Sequence, residues 1–319
     1  MKSYLLVSAA VLATLGASGA RADGEKIAVF TKNNTNPFFQ TVRLGADSAA
    51  KQMNATVTHF VPTKPDSIPE QMSQIEDVIV KKPESIVFVP VDYKAMVPGV
   101  EKMNKGGIPV VNIVDRSQGG KFVAFVGADD YTLGLATARY LFKAMGAKGN
   151  VVIIEGVRGS LTSSDRVRGF QQALKEFSNV KLLASQPGNY QRLQALQVME
   201  NLMQSFPRID GVLAANDAMA LGALEALDAA KRKALATGIN GTKEAIDAIK
   251  EGRMLASGDY SGFLQGCIGT MIAIRNLRKQ STPAEFLLPA VVVDKSNYRP
   301  YDIAAESRSC PKWDDAVKG

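Results

Sequence analysis

The sequence predicts an α/β protein in which two doubly wound parallel-sheet lobes are joined by a hinge of three chain crossings. Short runs rich in Val, Ile and Phe alternate with longer helical patterns along almost the whole chain. These runs are continuously apolar, which is typical of parallel strands covered by helices on both faces. The 319 residues are more than one ordinary hydrophobic core accommodates, and the alternation begins again after Gly127. A second lobe of the same architecture is therefore expected.

The first lobe opens with a buried strand and a helix whose start is marked by its capping residues. Asn36 precedes Pro37, and this order is typical of a helix N-terminus, because Asn caps free amide groups and Pro fits the first helical position. Further apolar runs and helical patterns follow in turn. The predicted strands are Lys26–Thr31, Ala55–Val61, Ser85–Val89, Pro109–Ile113 and Phe122–Val126, and the predicted helices are Asn36–Met53, Ser67–Lys81 and Lys94–Asn104.

The second lobe repeats this order of elements without a detectable sequence repeat. Its predicted helices are Tyr131–Met145, Arg166–Phe177, Arg192–Phe206, Ala218–Ala230 and Lys243–Glu251, and its predicted strands are Asn150–Glu155, Lys181–Ser185, Gly211–Ala214 and Leu235–Ile239. A helix at Gly262–Arg278 and a strand at Ala290–Val293 follow. We expect crossings near Ala128, Asp259 and Pro289. These crossings assign residues 23–128 with 261–289 to the N-terminal lobe, and residues 129–260 with 290–319 to the C-terminal lobe and its tail.

The N-terminus has the pattern of a secretory signal peptide. Lys2 supplies a positive charge, residues 4–20 are apolar or small, and Ala20-Arg21-Ala22 is a small-x-small cleavage pattern. An uncleaved membrane anchor is the alternative, but the apolar stretch is short and weakly hydrophobic. The sequence therefore predicts an exported protein whose signal peptide, residues 1–22, is cleaved after Ala22.

Composition argues against several classes of function. Without Lys2 and Arg21, 36 of the 38 basic residues remain against 31 acidic residues, a net charge of +5 with no basic run. This modest, dispersed charge argues against nucleic acid as a partner. His59 is the only histidine, which argues against a Ser-His-Asp triad or a multi-histidine zinc site. No metal and no cofactor is expected.

The mature chain has two cysteines, Cys267 and Cys310. In an oxidising compartment a lone pair is often bridged, and such a bond would tie the C-terminal tail to a late helix. The alternative is one buried thiol and one thiol on a loose tail. The disulfide is the favoured interpretation.

Polar residues that directly follow predicted strands form the candidate site, because ligands of open α/β sheets bind beyond the carboxyl ends of the strands. Asn, Asp, Arg and aromatic residues dominate this set. Carboxylates accept hydrogen bonds from sugar hydroxyls, Arg donates to them, Asn does both, and aromatic rings cover apolar C–H faces. The set comprises Asn33–Asn36, Asp92, Asp115-Arg116, Asp129-Asp130, Arg158–Arg166, Asn189-Tyr190, Asn216-Asp217, Asn240 and Asp259-Tyr260.

Some candidate residues have a structural alternative to ligand binding. Phe38 and Phe39, at the start of the first helix, could cover an apolar face of the ligand, but they are adjacent on the helix, so at least one of them is expected in the core. Arg116 and Arg166 could instead form surface ion pairs, which contribute little to stability. Asn216 could be a helix N-cap, a role that is compatible with ligand binding.

Six motifs in order resemble ribose-type periplasmic binding proteins, the solute receptors of ABC importers. They are Asn36-Pro37-Phe38-Phe39 with Gly45-Ala46, Ile108–Val111 leading to Asp115-Arg116, Gly127–Asp129, Arg166–Phe170, Asn189-Tyr190 and Ala215–Gly222. The likeness covers the mature chain up to about Lys295. It implies the type I periplasmic binding protein fold, a periplasmic location, hinge closure around one ligand, and a membrane permease as partner. A chemoreceptor is the alternative partner, and a monomer is expected.

The resemblance also implies a set of ligand-binding residues. Asn36 with Phe38 or Phe39, and Asp115 with Arg116, would contact the ligand from the first lobe. Arg166, Tyr190 and Asn216 would contact it from the second lobe. An extra residue in the Lys32–Thr35 loop adds Asn33 and Asn34 as candidates, and Asn240 and Tyr260 complete the predicted set.

Three departures from the ribose-type pattern change the expected ligand. Asn240 replaces an aspartate, Ala128 replaces a serine, and Tyr260 stands where a hinge-side glutamine is usual. The loss of a carboxylate and a hydroxyl, and the gain of a phenol ring, favour another pentose or a short polyol over ribose. A sugar-responsive repressor shares the fold, but export argues against it. An enzyme is not expected, because no nucleophile has a histidine to activate it.

Overall fold

The computed structural model describes residues 24–317 of the chain, so the predicted signal peptide and its cleavage site lie outside the described residues. Within them the predicted strands and helices occur in the predicted order, and most lie within three residues of their predicted bounds. Two further strands, Ala256–Asp259 and Glu285–Leu288, were not predicted. In this part of the chain no helix is long and apolar enough to cross a membrane.

The first sheet consists of six parallel strands. In the described residues their spatial order is β11-β5-β4-β3-β1-β2. The strands are β1 (Lys26–Phe30), β2 (Thr56–Phe60), β3 (Ser85–Phe88), β4 (Val110–Ile113), β5 (Ala124–Ala128) and β11 (Glu285–Leu288). Strands β3, β4 and β5 are buried at every position, as expected for strands covered on both faces.

The second sheet has the order β12-β10-β9-β8-β6-β7, with β12 antiparallel to β10 and the other described pairs parallel. The strands are β6 (Gly149–Glu155), β7 (Val180–Pro187), β8 (Gly211–Ala214), β9 (Leu235–Ile239), β10 (Ala256–Asp259) and β12 (Val291–Asp294). The fold predicted from the sequence, two parallel-sheet α/β lobes, is therefore confirmed.

Ten α-helices lie among the described residues and cover these sheets. They are α1 (Pro37–Gln52), α2 (Ile68–Lys81), α3 (Val97–Lys105), α4 (Asp130–Ala144), α5 (Leu161–Glu176), α6 (Arg192–Ser205), α7 (Asp217–Ala229), α8 (Lys243–Glu251), α9 (Gly262–Leu277) and α10 (Trp313–Ala316). Helix α9 packs on α1 and on β3, β4 and β5. This packing requires Gly45, because a Cβ there would lie 2.0 Å from the carbonyl oxygen of Phe263.

Several helices that follow a strand begin with a side-chain cap at the carboxyl edge of the sheet. Asn36 caps α1 by accepting from Phe38 N at 3.1 Å, and Asn216 caps α7 by accepting from Met219 N at 2.9 Å. Ser160 caps α5, which begins five residues before the predicted helix start. Polar side chains are thereby held at the helix N-termini that face the other lobe.

The chain passes between the two sheets three times within residues 24–317, from β5 to β6, from β10 to β11 and from β11 to β12. The tail after β12 then returns to the first lobe. Cys310 is bonded to Cys267 on α9, and its backbone N–H donates to Ser48 on α1 at 3.2 Å. The favoured disulfide is therefore present. Part of the tail lies against the first lobe, whereas the sequence assigned all of it to the second.

Candidate ligand-binding cleft

The candidate site is a cavity between the carboxyl edges of the two sheets. Its walls combine loops after first-lobe strands, the N-termini of second-lobe helices, and one residue at the hinge. The described residues that line it are Lys32, Asn33, Asn36, Phe38, Phe39, Asp66, Val91, Val114, Asp115, Val157, Thr162, Arg166, Tyr190, Asn216, Asn240 and Tyr260.

Most of the predicted ligand-binding residues lie together around this cavity. They are Asn36, Phe38, Phe39, Asp115, Arg166, Tyr190, Asn216, Asn240 and Tyr260. Both Phe38 and Phe39 are at least 95% buried, so they belong to the core and to the cavity wall at once. Asn216 combines the two roles considered for it, since it caps α7 and lines the cavity.

Arg116 and Asn34 do not line the cavity. The Arg116 side chain is half-exposed, pairs with Glu285 on β11, and has its guanidinium carbon 3.8 Å from the centre of the Phe125 ring. The surface ion pair considered for Arg116 is therefore the arrangement found. Asn34 is exposed, whereas Asn33 is buried and its side chain accepts from the backbone N–H of Asn36 at 2.9 Å.

Arg166 is fixed on three sides at the floor of the cavity and is only 2% exposed. Its Nε donates to Asp130 Oδ1 at 2.7 Å, and its Nη1 donates to the carbonyl oxygen of Ala215 at 2.7 Å. Its guanidinium carbon lies 4.4 Å from the centre of the Tyr260 ring. These contacts neutralise the charge of the guanidinium group and fix its orientation. Its remaining N–H groups are available to a ligand in the cavity.

Tyr260 connects the hinge to both lobes. Its hydroxyl oxygen lies 2.9 Å from the carbonyl oxygen of Val114 in the first lobe and 3.1 Å from Asp130 Oδ2 in the second. Burial raises the pKa of Tyr260 well above its usual value, so the hydroxyl stays a neutral donor. Its ring centre is 5.6 Å from that of Phe38, and the two rings form the apolar side of the cavity.

A buried cation in the cavity wall was not predicted. Lys32, directly after β1, forms an ion pair with Asp115, and both side chains are at least 92% buried. Lys32 follows the first strand just as Asn33–Asn36 do, but lysine side chains are usually exposed, so its residue type gives no sign of a buried position in the site. Asp66 lines the same wall, and burial raises its pKa, opposed mainly by the charge of Lys32.

Tyr190 presents its hydroxyl to the cavity from the second lobe. Asn189 and Tyr190 adopt left-handed backbone angles, with φ of 52° and 59°. The ring lies against Gly156, where a Cβ would approach its Cζ atom to 2.2 Å. The Tyr190 hydroxyl is buried and makes no well-formed hydrogen bond to the described residues, with Ser160 as its weak neighbour. It is therefore available to a ligand hydroxyl.

Asp217 supports the second-lobe wall from behind Asn216 and is expected to make stability depend on pH. It accepts from Thr242 N at 2.8 Å, Thr242 Oγ1 at 3.0 Å and Ser257 Oγ at 2.6 Å, all uncharged donors. Burial raises its pKa from 3.8 to about 6. The folded state thus holds this proton more tightly than the unfolded state, and the resulting stability, complete below pH 3.8, is lost as the pH rises through about 6.

The test of this pH dependence compares the native protein with Asp217→Asn. Relative to the variant, the free energy of unfolding of the native protein should fall by about 3 kcal/mol between about pH 4 and pH 7. Urea denaturation at four pH values in this window measures the difference. A difference that stays constant with pH would show that Asp217 has an ordinary pKa.

The site's chemistry is that of holding hydroxyl groups. Amide, carboxylate, ammonium, guanidinium and phenol groups converge on one cavity with apolar rings on one side. Among residues 24–317, no cluster of His, Cys, Asp or Glu has the geometry of a metal site. His59, the one histidine, lies on β2 and pairs with Asp47 outside the cavity.

Comparison with known proteins agrees with this geometry. A family model described as a periplasmic binding protein domain matches residues 27–281. The ribose import binding protein of Haemophilus influenzae is 28% identical over 295 residues, covering 92% of this chain and 100% of that protein. The D-allose-binding periplasmic protein of Escherichia coli is 32% identical over 267 residues, covering 81% and 86%.

A solved structure gives the same result. The ABC transporter periplasmic solute binding protein of Actinobacillus succinogenes, with bound D-allose, is 34% identical and superposes with a TM-score of 0.83. The match covers 87% of this chain and 100% of that one. The resemblance inferred from the sequence motifs is thereby confirmed, and the chain belongs to the periplasmic binding protein family.

Proposed function

We propose that this chain is the exported, periplasmic solute receptor of an ABC importer and binds one small neutral sugar or polyol between its lobes. The observation that carries the proposal is the cavity wall itself. Hydrogen-bonding groups from both lobes converge on one space that is bounded by Phe38 and Tyr260. The relatives named above are sugar-binding proteins of the same family.

Each wall of the cavity has a distinct role in this proposal. From the first lobe, Asn36 and the Lys32–Asp115 pair would bind ligand hydroxyls as donors and acceptors. Arg166, Tyr190 and Asn216 would bind the opposite side of the ligand from the second lobe. A ligand that touches both walls stabilises the closed form, because only that form offers all the contacts together. The closed protein would then deliver its ligand to the membrane permease as a monomer.

The size of the ligand follows from the hinge side of the cavity. Tyr260 is 1% exposed, and its ring occupies space beside Phe38. Asn240 lines the same cavity. Its side-chain amide can both donate and accept hydrogen bonds, whereas a carboxylate at this position could only accept them. These residues favour another pentose or a short polyol over ribose and over larger sugars.

The charges of the wall predict that the ligand is neutral. Lys32 is neutralised by Asp115, and Arg166 is neutralised by Asp130. Asp66 adds a further carboxyl group to the cavity wall. A negatively charged ligand would therefore meet no uncompensated cation to offset the cost of its desolvation. The carboxylates of the wall would also repel it.

The experiment is a calorimetric titration of mature protein, stripped of ligand by unfolding and refolding, against matched neutral and acidic compounds. The panel pairs D-ribose with D-ribonate, D-arabinose with D-arabinonate, D-xylose and xylitol with D-xylonate, and D-allose with D-allonate, and adds erythritol and myo-inositol. We expect one neutral compound to bind and its acid to bind at least about 100-fold more weakly, a difference of about 2.7 kcal/mol. No binding across the panel contradicts the proposed function, and preferential binding of an acid contradicts the charge argument.

A further inference from the structure

The carboxylate of Asp115 contacts both lobes inside the cleft. Asp115, directly after β4 in the first lobe, is only 3% exposed. One of its oxygens pairs with Lys32 of the same lobe. The other oxygen accepts hydrogen bonds from the second lobe, from the Thr162 hydroxyl, from Thr162 N at 3.3 Å and from Ser160 Oγ at 3.4 Å. The carboxylate thus bridges the lobes without any other group between them.

The second-lobe partners of Asp115 form the N-terminus of α5. Ser160 is its N-cap and accepts from Ser163 N at 3.3 Å, so its own hydroxyl proton is free to point to Asp115. The first turn of α5 contains no acidic residue. A helix N-terminus has free amide groups and partial positive charge, and Asp115 supplies an anion to it from the other lobe.

Asp115 is ionised in this arrangement. Burial alone would raise its pKa, but the charge of Lys32 and the hydrogen bonds from Thr162 bring the pKa below its ordinary value. Its interaction with α5 is therefore charge-assisted, the stronger class of hydrogen bond. Separation of the lobes would break all three contacts between Asp115 and α5 and return their atoms to water.

We propose that Asp115, Ser160 and Thr162 form an interlobe latch, which favours the closed form through direct contact between the lobes. Thr162 is a positioning residue in this latch, because it acts on closure through Asp115. The inference rests on the proposed function in that the cleft closed by the latch is the proposed ligand site. The affinity for ligand rises with the fraction of closed protein that exists before binding, so the latch would set affinity without a change in the ligand's own contacts.

The latch is tested on ligand-free protein, since Thr162 also lines the cavity and a binding constant alone would mix the two roles. Both cysteines are bonded to each other, so cysteines introduced at the exposed residues Lys94 and Gln186 can be labelled selectively. Single-molecule fluorescence transfer between these sites, one on each lobe, reports the ratio of closed to open protein. The ratio is compared for Thr162, Thr162→Val and Thr162→Ser.

We expect a measurable closed population in the stripped native protein, and a closed-to-open ratio about tenfold lower in Thr162→Val, the effect of one charge-assisted hydrogen bond. Thr162→Ser should restore the ratio to within about twofold, because it keeps the hydroxyl. An equal ratio in native protein and Thr162→Val, or the absence of a closed population in the native protein, would overturn the latch. Since no sugar is present, the result is independent of the ligand titration that tests the proposed function.

Discussion

Replacement of Arg166 by alanine is expected to abolish ligand binding and to lower the free energy of unfolding by about 3 to 5 kcal/mol. Binding is lost because the variant removes the fixed guanidinium fork from the second-lobe wall of the cavity. Stability is lost because Asp130, at least 91% buried, loses the cation that offsets its desolvation. Burial raises the pKa of Asp130 to about 6 even beside Arg166, so without Arg166 the carboxyl group must take up a proton or remain charged without a partner. Calorimetric titration with the best ligand of the panel and urea denaturation measure the two effects separately.

Two further variants distinguish these effects. Arg116→Ala is the matched control, since its half-exposed guanidinium pairs with Glu285 outside the cavity, and we expect it to change stability by less than about 1 kcal/mol and binding hardly at all. The double variant Arg166→Ala with Asp130→Asn should regain part of the lost stability and none of the binding. Full affinity in Arg166→Ala would refute its role in the site.

Removal of the disulfide by Cys267→Ser with Cys310→Ser is expected to cost about 4 kcal/mol of stability. This figure follows from the loss of loop closure over a sequence separation of 43 residues. The denaturation midpoint in urea should fall accordingly, and the dependence of unfolding on urea concentration should increase, because the unfolded chain is less compact without the cross-link.

Reduction of the native protein is the control for the cysteine variant. A native sample kept in reductant should show the same lowered midpoint, and adding reductant to the double variant should change nothing. Equal midpoints for native and variant protein would mean that the tail is held to the first lobe by its other contacts, such as Trp313 against Arg275, whose guanidinium carbon lies 4.3 Å from the ring centre.

The sequence predicts the sheets well because burial on both faces leaves a strong local signal. β3, β4 and β8 consist of apolar residues apart from Ser85 and Asn112, and their predicted and observed positions agree within one residue. Two strands were missed for the same physical reason. β10 is the sequence Ala-Ser-Gly-Asp, and β11 lies at the edge of its sheet and is largely exposed, so neither has a continuous apolar pattern.

The site was predictable to the extent that strand ends determine it. Asn36, Asp115 and Asn216 lie around the cavity because each follows a strand or caps the next helix, and Arg166 does so from the second turn of the helix that follows β6. The position of a strand end does not determine which way the side chains after it point. Arg116 and Asp115 are adjacent, yet only Asp115 lines the cavity, since a turn sends Arg116 to Glu285 on a strand that the sequence analysis did not find.

Lys32 and Thr162 follow strands and could be placed near the site from the local pattern, but their bonding partners could not be predicted from it. Lys32 is buried only because Asp115 neutralises it, a long-range pairing across the first sheet. The Leu161-Thr162-Ser163 segment is typical of a loop by composition, but Ser160 caps it as the first turn of α5. Such assignments depend on partners that are distant in the chain.

The bond between Cys267 and Cys310 turns residues 267–310 into a covalent ring. The ring begins on α9 in the first lobe, passes through β12 in the second sheet and returns to α9. A single break of the backbone inside the ring, such as at the crossing from β11 to β12, would therefore leave every part of the protein covalently attached. The last of the three crossings is thus backed by a covalent bypass, whereas the crossing between β10 and α9 lies outside the ring and has no such protection.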